Sequence, residues 1–242
     1  MTDITADAFL GGRVRLFQPA HGYRAGVDPV LLAASVPARA GQTVLDLGCG
    51  AGAAGLCLAA RVPGVQVTGL ERQADYAALA RRGGLEVVEG DLAQMPGALR
   101  ARSFDHVMAN PPYFDRAQGA RASDAGREGA LGEDTPLDAW VEAAAKRLKP
   151  QGFAHFIHRP ERLPDLLAAC SARLGSVEAL PLSPREGRAP SLIIVRARKG
   201  GRAAFRLHFP RILHRGAAHV SDADHYTAEF TAIFRDAAPL QF

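Results

Sequence analysis

Short apolar runs alternate along the chain with longer Ala/Leu/Arg-rich stretches, and that rhythm predicts its elements. Thr43–Leu47 (TVLDL) reads as a buried strand that ends at Gly48, and 52–61 as a helix. A second strand is expected over 65–70, closed by Glu71, then a helix over 74–82 and a third strand over 85–88. Phe104–Ala109 (FDHVMA) predicts a fourth strand and 136–148 a helix, with Leu137, Val141 and Leu148 at helical spacing. Lys149-Pro150-Gln151-Gly152 turns the chain into a fifth strand over 153–158, followed by a helix over 161–174 and a late β-branched strand over 191–198. Strands that alternate with helices imply a mostly parallel sheet with helices on both faces. Two stretches fall outside the rhythm: the Gly/Ala/Arg-rich 115–135, too long for an ordinary connector, and the tail from Gly200 onward.

Composition adds bounds. With 242 residues, 48% hydrophobic and 22% charged, a single α/β domain is expected. Its parts are an N-terminal segment 1–40, a core 41–199 and an extension 200–242. No apolar run is long enough for a membrane span, and MTDITADAFL does not read as a secretion signal. Cys49, Cys57 and Cys170 lack metal-type spacing, and their odd number argues against a disulfide framework, so a reduced cytoplasm is expected. The scattered histidines, His21, His155 and His158 among them, suit structural roles better than metal binding, and no metal is expected. A net charge of +4 permits a polyanionic partner such as RNA without requiring one.

Candidate chemistry begins at VLDLGCGAG, residues 44–52. Gly48, Gly50 and Gly52 follow a strand and open a helix, where glycines let the backbone approach a ligand closely. Glu71 closes the next strand and can accept from both ribose hydroxyls of an adenosine. Asp46 sits two residues before the first glycine. There a carboxylate would repel a pyrophosphate but favour the amino group of a methionine moiety, which tilts the reading from NAD toward S-adenosylmethionine. Asp91, with Leu92 beside it, can accept from the adenine amine.

Residues 110–113 read Asn-Pro-Pro-Tyr, directly after the fourth strand. Pro111 and Pro112 stiffen the backbone and remove two N–H donors, and the proline after it holds Asn110 extended. Open α/β sheets bind ligands at the carboxyl ends of such strands. The lone pair of an adenine amine or a glutamine amide is delocalised and weakly nucleophilic. The Asn110 side-chain oxygen and the Pro111 carbonyl can take its two N–H bonds and favour a pyramidal nitrogen, while Tyr113 can stack on the planar group.

Together these residues resemble the class I methyltransferases with an NPPY active site, over about residues 44–198. That resemblance implies a Rossmann-like, seven-stranded, mostly parallel sheet with helices on both faces and the last strand antiparallel. It also implies S-adenosyl-L-methionine as cofactor and S-adenosyl-L-homocysteine as product. Residues 18–33 (QPAHGYRAGVDPVLLA) resemble the leading segment of the bacterial adenine-N6 methyltransferases of valine tRNA. This resemblance places Tyr23, Arg24 and Asp28 near the methionine end of the cofactor; Asp28 also reads as the cap of a helix over 29–35. The tail, with Phe209-Pro210 and His225-Tyr226-Thr227 before an apolar helix, is similar to theirs. Arg116, Arg121 and Arg127 in the long loop, and Arg196, Arg198, Lys199 and Arg202 near the last strand, are candidate contacts for tRNA phosphates. The function expected is N6 methylation of an adenine in valine tRNA next to the anticodon. A glutamine methyltransferase acting on a release factor or ribosomal protein, and a cofactor-binding module without catalysis, are the alternatives. Neither the oligomeric state nor the form of 115–135 is legible.

Overall fold

Period-two alternation in the central strands sends neighbouring side chains into two separate cores. In the computed structural model, which describes residues 3–115, 132–133, 135–216 and 225–242, Val44 and Met108 face one core while Leu45, Leu47, Val107 and Ala109 face the other. An antiparallel hairpin of β1 (Ile4–Phe9) and β2 (Val14–Pro19) comes first, then α1 (Asp28–Ser35). The alternation follows with β3 (Thr43–Leu47), α2 (Ala53–Arg61), β4 (Gln66–Glu71), α3 (Ala74–Arg82), β5 (Glu86–Glu89), the short α4 (Gly97–Arg100) and β6 (Phe104–Ala109). The two-residue strands β7 (Phe114–Asp115) and β8 (Gly132–Glu133) pair with each other. After them come α5 (Leu137–Arg147), β9 (Leu148–His158), α6 (Leu163–Arg173), β10 (Gly175–Ser183), β11 (Leu192–Arg198), β12 (Arg206–Leu207), β13 (Arg211–Ile212) and α7 (Ala228–Asp236).

The sheet order is β5-β4-β3-β6-β9-β11-β10, with β12 and β13 added beside β10. β11 runs antiparallel to both neighbours, and the other pairs in the sheet are parallel. This is the expected mostly parallel sheet with one reversed late strand. α5 buries Leu137, Trp140, Val141 and Ala144, one stripe at i, i+3, i+4 and i+7. The turn expected over 149–152 lies inside β9 as a bulge, where Gln151 takes φ +67° and the register against β6 shifts between Leu148 and Phe153.

Three features depart from the expectations. The N-terminal hairpin and β10 were not expected from the pattern. β10 (GSVEALPLS) follows α6 with no turn cluster between them, so the two read as one apolar stretch. Asp28 does not cap α1: it lies inside the first turn, and the residue at the cap position is Val27. The two ends of the chain meet in one core, where Leu10 and Val14 join Phe230, Ile233 and Leu240. Cys49, Cys57 and Cys170 are free and buried. Among the described residues no helix is long and apolar enough to cross a membrane, and no group of three or more His, Cys, Asp or Glu is placed to hold a metal.

Candidate active site

A cleft of about 1060 Å³, its open mouth included, lies at the carboxyl ends of β3, β4, β5 and β6. Its floor is the β3–α2 loop. Gly48 and Gly50 adopt φ of +65° and +54°. A Cβ on Gly48 would come within 2.6 Å of the Trp140 ring, so that glycine lets α5 close over the loop. A Cβ on Gly50 would meet nothing within 4 Å; it would project from the floor into open space.

Two buried carboxyls face this floor. Asp46 is 2% exposed and accepts from the Gly55 N–H at 3.1 Å. Burial pushes its pKa from 3.8 up to about 7, and the neighbouring Glu71 adds to the rise. Glu71 accepts the Gly50 N–H at 2.9 Å on one oxygen and the Gln73 N–H at 2.8 Å on the other. Burial raises its pKa as well, against those backbone donors. Each oxygen keeps further acceptor capacity toward the cleft. Buried anionic acceptors, a glycine floor with room above it and an elongated cleft fit a cationic amino group at one end and a ribose at the other.

Asp91 and Leu92 line the far end, where Asp91 Oδ1 accepts the Ala93 N–H at 2.8 Å. Tyr23 lines the near wall, and burial first, then Asp28, raises its phenol to about 12. Arg24 does not line the cleft. Its guanidinium is taken by Asp7 at 2.6 Å, Thr5 Oγ1 at 2.7 Å and the Pro19 carbonyl at 3.0 Å, so it braces the hairpin behind Tyr23.

Asn110 and Pro112 reach the cleft from the end of β6. The Asn110 side-chain oxygen is buried and has no hydrogen-bond partner. Tyr113, by contrast, does not line the cleft. Its phenol donates to Asp28 at 2.5 Å, its ring lies 5.2 Å from His158, and the Arg159 guanidinium sits 5.0 Å over it. Burial and Asp28 hold the phenol far above its ordinary range. His158 is fully buried, and burial lowers it to about 4, so it is neutral. Its Nδ1 accepts the Arg159 N–H at 2.8 Å, and its ring packs against Tyr113. Asp28 is therefore tied to Tyr113 rather than to the cleft.

The basic candidates divide. Arg116, Arg121 and Arg127 lie outside the described residues. Arg196 pairs with Glu178 at 2.8 Å and packs 4.2 Å under the Phe242 ring. Arg198 donates to the Gln151 carbonyl at 3.3 Å, and Lys199 takes the carbonyls of Ala145 and Leu148, both at 2.8 Å, at the end of α5. Arg202 is exposed. Because β11 is antiparallel, Arg198 pairs with Phe153, which lies level with His106, four residues before Asn110. The structure thus sets Arg198 roughly 13 Å down the strand direction from Asn110, with Arg196, level with Met108, about half as far and Lys199 one residue beyond, toward the opposite end of the sheet.

Gln18, Ala25, Gln73, Tyr76, Thr135 and Trp140 also line the cleft and were not singled out from the sequence. Gln18 is buried and bridges Asp7 Oδ2 (2.6 Å) to the Ala25 N–H (2.7 Å), fixing the near wall. Its only signal was its place at the head of the segment 18–33.

A family model for the methyltransferase small domain matches residues 25–159. The tRNA1(Val) (adenine(37)-N6)-methyltransferase of Shewanella halifaxensis is 32% identical over 180 residues, 70% of this chain and 72% of that protein. Its namesake in Porphyromonas gingivalis is 31% identical over 200 residues, 72% of this chain and 76% of that one. Among solved structures, one described as a predicted O-methyltransferase from Agrobacterium tumefaciens is 28% identical with a TM-score of 0.70, covering 88% of this chain and 98% of that one. A 16S rRNA N2 G1207 methyltransferase from T. thermophilus, solved with AdoMet and guanosine, shares the fold at 22% identity and a TM-score of 0.54, over 81% of this chain and 50% of that one.

Proposed function

Since the chain belongs to the methyltransferase small domain family, we propose that it uses S-adenosylmethionine to methylate the N6 amine of an adenine in tRNA, with Asn110 as the residue that receives the amine. The observation that carries this reading is the buried, unpartnered Asn110 oxygen beside the cleft. Leaving such an acceptor empty costs about 1–3 kcal/mol, which a donor arriving with the substrate recovers. An adenine amine brings two N–H groups, and the Asn110 oxygen and the Pro111 carbonyl accept one each. Holding both in place raises the nucleophilicity of the nitrogen and aims its lone pair along one line. A hydroxyl acceptor brings one donor and would leave one of the two oxygens empty.

When bound, S-adenosylmethionine supplies a methyl group made electrophilic by its sulfonium. Asp46 holds the amino group of the methionine part, Glu71 the ribose hydroxyls and Asp91 the adenine amine, with Leu92 against its ring. Tyr23 closes the near wall, braced by Arg24. Asp28 fixes the Tyr113 phenol; because Tyr113 lies outside the cleft with Arg159 over its ring, a base stacks on it only once Arg159 leaves and the ring opens toward the cleft. The names of the relatives support the finer assignment to valine tRNA and to its adenine 37. The test is incubation with labelled cofactor and unfractionated tRNA together with a release factor, then digestion of both and identification of the labelled product. N6-methyladenosine is the expected product. Labelled methylglutamine on a release factor, with unlabelled RNA, would replace adenine by an amide as the acceptor.

A further inference from the structure

Residues 187–216 hold eight of the chain's 29 Lys and Arg and none of its 25 Asp and Glu, so the rest of the chain is net acidic. Much of this segment forms the outer edge of the sheet. β12 pairs with β10 at Glu178 and Ala179, and β13 pairs with it at Leu182 and Ser183. β10 is parallel to the central strands, so the edge runs from the far end of the sheet toward the cleft end. Two successive hydrogen bonds continue it there, from Leu213 to Ser183 and from His214 to Pro184.

The two sides of this edge differ. His208 turns inward, bonded to Glu178 at 2.8 Å and packed edge-on against Phe242. Glu178 is also bound by Arg196, so it is neutralised. Alternation sends Phe205, Leu207 and Phe209 the other way, and they are 51%, 61% and 93% exposed. Arg206 lies on the His208 side, 3.9 Å from the Glu178 carboxylate, but its side chain is 70% exposed at the edge, and Arg202 is exposed too.

We propose that this edge is a ribbon for RNA, on which unpaired bases stack against Phe205 and Phe209 while Arg202 and Arg206 contact phosphates. The proposal rests on the RNA reading above and adds the surface that holds the RNA outside the cleft. Exposed rings interleaved with arginines form a sequence-tolerant platform for single-stranded bases. A second copy of the chain fits the same apolar side less well. A two-fold contact would set the ribbon against itself, bringing unbalanced positive charge together on both sides. Pro210 between β12 and β13 removes a backbone donor, which disfavours addition of a strand. β13 lies four strand spacings from β6, about 19 Å, a distance that one folded RNA spans.

The test measures binding of unfractionated tRNA over a range of salt, with cofactor affinity followed in parallel to verify the fold. F205S/F209S should weaken binding about tenfold or more. R202E/R206E should lower the slope of log K against log salt by roughly two. R39E, an exposed reversal elsewhere, should change neither quantity in this way. Wild-type affinity and slope in both double variants would overturn the ribbon while leaving the RNA reading intact. A change of sedimentation in F205S/F209S with unaltered tRNA binding would overturn it in favour of a second copy. Absence of tRNA binding by the wild-type protein would overturn the RNA reading and the ribbon together.

Discussion

Asn110 and Asp46 are costly residues for the protein by itself: one buries an unpaired oxygen, the other a carboxyl in a place that disfavours its charge. Asn110→Ala should therefore leave cofactor affinity within about twofold and lower single-turnover transfer by about 10²–10³, the loss typical of one preorganised polar contact. Calorimetry and quench-flow measure the two parts separately, and a transfer rate near wild type would remove Asn110 from the mechanism. Asp46 predicts a pH effect. The folded chain holds this proton up to about pH 7, whereas an ordinary aspartate has released it near 3.8. The folded state thus binds the extra proton within that window, and stability of the free protein falls as pH rises through it. Cofactor affinity moves the opposite way, rising toward pH 7 as the carboxylate forms opposite a cationic amine. Asp46→Asn should flatten both trends, read by thermal melts and by titration across pH 5–8. Both residues were legible in the sequence because their chemistry depends on type and place in a motif. The orientation of Tyr113 was not, since Asp28 and His158, far from it in sequence, decide it.

At the scale of elements, helices with a clear buried stripe could be read closely, and segments whose partner lies elsewhere could not. α5 repeats its apolar stripe at helical spacing, and its span differs from expectation by one residue at each end. The N-terminal hairpin has only a weak alternation, yet it supplies a wall of the cleft through Gln18. Gln18→Ala would leave the Ala25 N–H and Asp7 without that bridge, a loss of about 1–3 kcal/mol. It should lower Tm by several degrees and weaken cofactor binding; a lower Tm with unchanged affinity would restrict Gln18 to stability. Lys199 tests the assignment of charge to an element. As a ligand of the last α5 carbonyls, Lys199→Ala should cost about 1 kcal/mol, or roughly 2–4 °C in Tm. The salt slope of tRNA binding should not change, and a flatter slope would return Lys199 to the RNA surface.

For the whole molecule, strand order determines which charges share a face. The sequence by itself determined the alternation of strands and helices, the glycine loop with Asp46 and Glu71, and the Asn-Pro-Pro-Tyr turn. Each is local: spacing sets which face a residue occupies, and a proline or glycine fixes its own backbone. Tertiary structure decided what depended on direction and neighbours. Reversal of β11 takes Arg196, Arg198 and Lys199 away from the cleft end, although they follow the NPPY motif in the chain. Packing of the hairpin behind the cleft commits Arg24 to Asp7. The outermost strands leave Phe205, Leu207 and Phe209 facing solvent, where a sequence reading would bury them. Hydrophobicity can be read from one residue, but exposure is a property of the neighbours that the fold brings or withholds.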